Sequence, residues 1–169
     1  MRGYCIILAA TALAACAPDG SNPVAPNLAI SASTSGPATP PFNDEIILRD
    51  VTSAGGFGHI KFRQPKDGDL IIYLDTWVRD LAPNASYRLQ RAVDTNIDDN
   101  CTSTAWLTLG QGLTPRAIVT DERGTGRAAL WRTISPSNLG TEFDIHFRVI
   151  DASGTVVLES ACYQYVVSQ

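Results

Sequence analysis

The chain has 169 residues, of which 13 are basic and 17 are acidic, giving a formal net charge of −4. This length is sufficient for one domain with a sizeable hydrophobic core. The acidic balance argues against nucleic acid or anionic lipid headgroups as partners, because both attract basic surfaces.

Residues 1–15 have the pattern of an export signal. Arg2 is the only charge before Asp19, and the apolar, alanine-rich run that follows it is too short to span a bilayer. The run ends in "LAAC", which resembles the lipobox of bacterial lipoproteins. That resemblance implies cleavage before Cys16, lipidation of Cys16 and, because Ala17 follows, transfer to the outer membrane. The alternative is an ordinary signal peptide that is cut at an alanine-rich site, with Cys16 incidental.

Two cysteines are left after processing. Cys5 is lost with the signal and Cys16 receives the lipid, so Cys101 and Cys162 remain. An exported chain lies in an oxidising space, where such a pair is predicted to form a disulfide. Loss of Arg2 also leaves 12 of the 13 basic residues against 17 acidic ones, so the mature chain stays acidic.

Residues 16–43 have the composition of a linker. After the cysteine the segment reads "APDGSNPVAPNLAISASTSGPATPPFN", which is dominated by proline, serine, alanine and glycine. Such a stretch buries too little to fold and is predicted to be a flexible, extended tether. The alternative is that "NLAIS" forms a short edge strand on the domain.

Residues 44–169 form one compositional block with a period of two, which is typical of strands that bury one face. The clearest case is "EFDIHFRVI", and "DLIIYLDTWV" and "SYRLQRAV" follow the same period, the last placing Tyr87, Leu89 and Val93 together. Shorter strands are predicted in "EIILRDV", "HIKFR", "PRAIVT" and "RAALWR", and a long β-rich run in "TVVLESACYQYVV". Turn sequences such as "SAGGFG", "DERGTG" and "DASGT" separate them. The predicted class is all-β, as an antiparallel sandwich or barrel.

The stretch "LAPNASY", residues 81–87, sharpens the fold prediction. It resembles the tyrosine corner of fibronectin type III and related Greek-key sandwiches. The resemblance implies that the Tyr87 hydroxyl bonds to backbone a few residues upstream, within a single immunoglobulin-like (Greek-key) sandwich. Much of the chain follows Tyr87, so the Greek key is elaborated or differently ordered.

The same region is also similar to copper-zinc superoxide dismutase, in which a leucine-proline turn and a strand precede an Asp-rich loop that ends in a cysteine. That family holds its metals with many histidines. This chain has two histidines, His59 and His146, so the resemblance implies a related fold without the metal site.

The loop "VDTNIDDNC" spaces oxygen-bearing side chains at every second position, as calcium loops do: Asp94, Asn96, Asp98 and Asn100. An EF-hand loop would need glycine at its sixth position and glutamate at its twelfth. Asp99 and Ala105 occupy those places. We therefore predict a polar loop anchored by Cys101, with a weak calcium site as the alternative.

No catalytic signature of the GxSxG, HExxH, Walker A or GxGxxG type is present. His59 and His146 are predicted to point outward from separate strands. Asp121 and Glu122 lie in a predicted hairpin turn, which argues against a paired acid–base role. The prediction is therefore a protein that is not an enzyme and that has no cofactor.

The chain has three tryptophans, Trp77, Trp106 and Trp131, which we expect mainly to fill the core. Exposed tryptophan faces would instead indicate a glycan site. The predicted function is a non-catalytic module for binding, adhesion or assembly, held on the cell envelope by its lipid, with a protein or glycan partner. The alternatives are a carbohydrate-binding module and an envelope enzyme whose site has no recognised motif.

Overall fold

The computed structural model describes residues 42–168, so the predicted signal peptide, Cys16 and residues 17–41 of the linker lie outside the described part. The described residues form twelve β-strands and one turn of 3-10 helix, Pro136–Asn138. The predicted all-β class is confirmed. The strands are β1 Phe42–Asp50, β2 Phe57–Gln64, β3 Ile71–Arg79, β4 Ser86–Asp94, β5 Leu107–Thr108, β6 Gly110–Gln111, β7 Thr114–Pro115, β8 Ile118–Val119, β9 Gly126–Thr133, β10 Glu142–Ile150, β11 Val156–Ser160 and β12 Tyr163–Val166.

The long strands make one continuous antiparallel sheet, in the order β4, β10, β11, β1, β2, β3, β9. The predicted C-terminal run is divided at Ala161 and Cys162 into β11 and β12. Both strands pair with β10. β12 pairs with the first half of β10, around Phe143, and β11 pairs with the second half of β10, around Val149. β11 also pairs with β1, so it fills the middle of the sheet.

A short segment after the long loop, residues 107–120, brings the two ends of this sheet together. We call it the bridging segment, and we call the gap between β4 and β9 that it closes the seam. β5 pairs with β4, where Leu107 faces Arg91, and β8 pairs with β4 further along. β6 runs parallel to β9, where Gln111 faces Trp131, and Thr120 makes a bridge to Gly126 of β9. The sheet is therefore nearly closed into a barrel, and its end strands have backbone partners.

The interior is filled by the inward side chains of these strands, as the period-two pattern predicts. Phe62 lies at its centre, with edge-on contacts to the rings of Phe147 and Tyr165 at centroid distances of 6.1 and 4.9 Å. The buried core comprises Ile46, Leu48, Ile60, Phe62, Ile72, Leu74, Val78, Tyr87, Leu89, Leu109, Ile118, Leu130, Ile145, Phe147, Val149, Leu158, Tyr165 and Val167.

One end of the interior holds a buried polar network centred on Gln64. Its side-chain oxygen accepts hydrogen bonds from the Tyr165 hydroxyl and from the Ser168 amide, the latter at 3.0 Å. Its side-chain amide donates to the Ser168 carbonyl. Burial raises the pKa of the Tyr165 hydroxyl, which keeps it protonated as the donor. These bonds fasten the chain after β12 to the end of β2.

The turn "LAPNASY" has the predicted hydrogen bond: the Tyr87 hydroxyl accepts from the Ala82 amide at 3.0 Å. The buried Thr120 hydroxyl donates to the Ala82 carbonyl at 2.7 Å and so ties this turn to the chain before β9. Gly124 is required beside it, because a Cβ there would lie 2.0 Å from the Leu81 carbonyl oxygen. The finer prediction of an immunoglobulin-like sandwich stays a prediction, since all the strands belong to one curved sheet.

Three predicted turns are closed by an aspartate that accepts backbone hydrogen bonds. Asp121 accepts from Arg123 and Thr125, and Asp151 makes the equivalent bonds in "DASGT". Asp50 accepts from the Thr52 hydroxyl and from nearby amides, and these bonds lower its pKa to about 2. Hydrogen bonds to the charged form likewise lower the pKa of Asp121 and of Asp151. These carboxylates have a local structural role.

The predicted disulfide is present between Cys101 and Cys162, whose Cα atoms are 5.4 Å apart. It joins the loop after β4 to the link between β11 and β12. At that link the C-terminal chain passes from the second half of β10, which pairs with β11, to the first half, which pairs with β12. The disulfide therefore holds both the loop and this link in place.

Removing the disulfide should destabilise the barrel strongly. For cysteines 61 residues apart, the chain-entropy model gives a loss of about 4 kcal/mol in the free energy of unfolding. We expect the double variant Cys101→Ser, Cys162→Ser to show this loss in urea unfolding, with Cys16→Ser alone as the control that keeps the disulfide. Equal midpoints for the two proteins, or two free thiols in the folded parent, would contradict the assignment.

Candidate functional site

The Asp-rich loop uses its carboxylates within itself. Asp94 accepts hydrogen bonds from the amides of Thr102 and Ser103, at 3.1 and 3.0 Å. Asp98 accepts from the Asn96 side chain at 2.6 Å and from the Asn100 amide at 3.1 Å. These bonds are typical of aspartate and asparagine that shape turns.

Beneath the loop lies the buried carboxylate of Asp144 on β10. One oxygen accepts from the Asp98 amide at 2.9 Å, and the other has no hydrogen-bond partner in the described chain. Within residues 42–168, no three histidine, cysteine, aspartate or glutamate side chains are grouped as metal ligands would be. The polar loop anchored by Cys101 stays the prediction for this segment, with a weak calcium site at Asp94, Asn96, Asp98 and Asn100 as its alternative.

The two histidines lie on different strands and have different partners. His59 on β2 contacts Glu45 on β1. His146 on β10 lies 3.1 Å from the Ser103 carbonyl oxygen, beneath the disulfide-anchored loop. The structure does not bring them together, and Asp121 uses its carboxylate to close a turn.

The expectation that the tryptophans fill the core is wrong. All three are half-buried outside the core, which consists of smaller aliphatic side chains together with phenylalanine and tyrosine. Trp106 is sandwiched against the Arg148 guanidinium, 4.0 Å from the ring centroid, and the His146 ring, at 4.5 Å. Trp131 is covered by Gly112, where a Cβ would lie 3.0 Å from the indole.

The end of the barrel beside the Gln64 network contains a cavity of about 320 Å³, which we call the end pocket. Its lining comes from the ends of β3, β4, β9, β10 and β12 and from the segment that carries the 3-10 turn. The volume lies in the range that small-molecule sites occupy. The lining residues are Ile72, Arg91, Val93, Arg132, Thr133, Ile134, Ser135, Asn138, Phe143, Ile145, Tyr165 and Val167.

Arg91 and Arg132 are the charged residues of this lining. Arg91 shares the inward face of β4 with Leu89, and Arg132 shares the inward face of β9 with Leu130. Burial lowers the pKa of Arg91, and repulsion by the nearby Arg132 lowers it further. No ion pair joins either arginine to a carboxylate in residues 42–168.

Neither arginine is predicted as a site residue from the sequence. The available signal is a charged residue at an inward position of each strand, in "SYRLQRAV" between Leu89 and Val93 and in "RAALWR" two residues after Leu130. The pattern does not show that the two positions share one cavity, since they lie on strands that are distant in sequence.

A second depression of about 450 Å³ lies on the outer face of β2, β3 and β9, which we call the outer groove. Trp77 lines it together with polar side chains, and the Trp77 ring also meets Phe57 edge-on at 6.2 Å. Its other lining residues are His59, Lys61, Asp75, Thr76, Arg127, Ala128 and Ala129.

Comparisons of the chain with protein-family models, with curated proteins and with solved structures find no match. Residues 42–168 include no helix with the length and apolar character that a membrane crossing requires.

Proposed function

We propose that this protein is a lipid-anchored, non-catalytic binding module of the bacterial cell envelope, and that the end pocket is its ligand site. The observation that carries the proposal is a cavity at the barrel end with largely apolar walls and a few polar groups, the usual composition of small-molecule sites. Its lining contains no histidine, cysteine or carboxylate, which supports a binding role over a catalytic one.

The proposed anchor is Cys16 in "LAAC", followed by the linker of residues 17–43. Multiple acyl chains hold a protein firmly to a bilayer, and an extended linker would lift the domain away from the surface. The outer membrane is the proposed location, because Ala17 follows the lipidated cysteine. An elaborated Greek key is the proposed strand arrangement, supported by the Tyr87 hydrogen bond in "LAPNASY".

The anchor is tested by mass spectrometry of the mature protein from its native host. We expect an N-terminal Cys16 that carries a diacylglycerol and an acylated amine. Cys16→Ser should move the protein from the membrane fraction to the soluble fraction, and Ser21→Ala, in the linker, is the control that should stay in the membrane fraction. A mature parent protein without acyl groups would contradict the proposal.

The end pocket is tested with the neutral fluorescent probe 1-naphthylamine, whose size is close to that of the cavity. We expect saturable binding to one site, because the largely apolar walls of the cavity can enclose an aromatic ligand of this size. Val93→Trp places an indole in the pocket and should weaken binding at least about tenfold, a change of about 1.4 kcal/mol. Val119→Trp makes the same substitution at a residue 63% exposed and away from the pocket.

Unsaturable fluorescence, or equal affinities in the Val93→Trp and Val119→Trp variants, would show that the end pocket is not a binding site. Thermal unfolding of both variants checks that a loss of affinity does not come from a loss of fold.

Glycan binding in the outer groove is a second candidate function. The observation that favours it is the position of Trp77, outside the core and beside Asp75, Lys61 and Arg127. An aromatic face with hydrogen-bonding groups around it suits a sugar ring, which has an apolar face and polar edges.

This candidate predicts that N-acetylglucosamine oligosaccharides bind the parent protein in calorimetry. Trp77→Ala should weaken that binding at least about tenfold. Trp106→Ala, which removes a tryptophan outside the groove, should leave it unchanged. No binding by the parent, or equal losses in both variants, would exclude the outer groove as the glycan site.

A further inference from the structure

Two arginines without an acidic partner converge in the end pocket. A cation that is partly withdrawn from water is destabilising unless an opposite charge compensates it. The described chain supplies ion pairs elsewhere, as between Arg63 and Asp75 on the outer surface at 2.7 Å. It supplies none for Arg91 or Arg132. The pocket therefore has an unmatched positive charge.

Arg91 and Arg132 lie at the end of the pairing between the bridging segment and the two end strands. On β4 the pairing with that segment ends at Arg91, opposite Leu107, and on β9 it includes Trp131, opposite Gln111. Arg132 follows Trp131 directly. The two side chains thus enter the pocket from the two strands that flank the seam of the barrel.

Most of the remaining lining is apolar, with Thr133, Ser135 and Asn138 as its uncharged polar residues. Ile72, Val93, Phe143, Ile145 and Val167 present aliphatic and aromatic groups to the cavity. The Tyr165 hydroxyl, which also belongs to the lining, already donates to Gln64. A ligand that matches the whole pocket therefore has an anionic end and an apolar end.

We propose that the end pocket binds a medium-chain fatty-acid anion, with its carboxylate between Arg91 and Arg132 and its acyl chain against the apolar lining. The proposal rests on the proposed function of this pocket as a ligand site. A guanidinium presents a planar fork of N–H donors that matches a carboxylate, so two arginines can bind both of its oxygens. At roughly 30 Å³ for each water-sized group, the 320 Å³ cavity holds about ten non-hydrogen atoms, the number in octanoate.

The experiment measures octanoate and octanol separately, by displacement of 1-naphthylamine from the full mature chain. The two ligands share a chain length and differ in the charge of the end group. We expect octanoate to bind at least about tenfold more tightly than octanol. Acetate should not displace the probe, because it lacks the apolar part. Octyl phosphate distinguishes a fatty acid from a phosphate-bearing lipid as the ligand. Arginine also binds phosphate, but octyl phosphate is larger than the roughly ten non-hydrogen atoms that the cavity holds, so we expect it to bind more weakly than octanoate.

The roles of Arg91 and Arg132 are tested with glutamine substitutions, which remove the charge, and lysine substitutions, which retain it. Arg91→Gln and Arg132→Gln should each reduce the preference for octanoate over octanol at least about fivefold, and the double variant should abolish it. Arg91→Lys and Arg132→Lys retain a cation and should retain part of the preference. Arg88→Gln on the outer face of β4 and Arg123→Gln in the turn before β9 remove the same charge elsewhere and should leave the preference unchanged.

The outcomes distinguish this inference from the function on which it rests. Probe binding to the parent with equal affinities for octanoate and octanol would overturn the inference and leave the pocket a binding site. No probe binding to the parent would overturn both. Tighter binding of octyl phosphate than of octanoate would overturn the proposal of a fatty-acid ligand and indicate a phosphate-bearing ligand. Equal losses of preference in Arg88→Gln and Arg91→Gln would show a general charge effect and would also overturn the proposal.

Discussion

Closure of the sheet is the constraint on which the other features of this protein depend. A curved sheet leaves a row of unpaired backbone groups at each end strand unless something covers it. Here β4 and β9 are the end strands, and the segment from β5 to Thr120 supplies their partners. The same segment contributes Leu109 and Ile118 to the core. Beyond the pairings at Arg91 and Trp131, the inward side chains of β4 and β9 line the end pocket and are not packed in the core. The same bridging segment therefore completes the core and leaves the pocket at the end of the barrel.

The disulfide-anchored loop covers part of the outer surface of the sheet, as the bridging segment covers the edges of β4 and β9. It lies over β10 and β4, so that Ala92 is buried although it points away from the barrel interior. Asp144, paired with Asp94 across the strands, is likewise covered. Trp106 continues this cover through its contacts with His146 and Arg148. The loop is therefore part of the packed structure, and its polar residues are used mainly to hold their own backbone.

The features that the sequence predicts correctly are those that depend on neighbouring residues or on the number of cysteines. The period-two strands, the aspartate turns and the Tyr87 hydrogen bond all depend on neighbouring residues, and the disulfide followed from the number of cysteines. The break at Ala161 and Cys162 is not predicted, because "TVVLESACYQYVV" is rich in β-forming residues on both sides and contains no glycine or proline that would mark a turn. Closure could not be predicted, because two-residue strands have no periodicity and their partners are distant. The end pocket was missed for the same reason: Arg91 and Arg132 become neighbours only when the seam closes.

The position of β11 has a consequence for the time course of synthesis. The edge of β1 that will pair with β11 is made early, but Leu158, the partner of Asp50, follows about a hundred residues later. At 5 to 20 residues per second, that edge waits roughly 5 to 20 seconds for its partner. During this interval the N–H and C=O groups of that edge have no partner from β11 and are open to pairing with another chain. Charged side chains at Glu45 and Arg49 on its outer face reduce that hazard, since charges on an open strand disfavour sticking between chains.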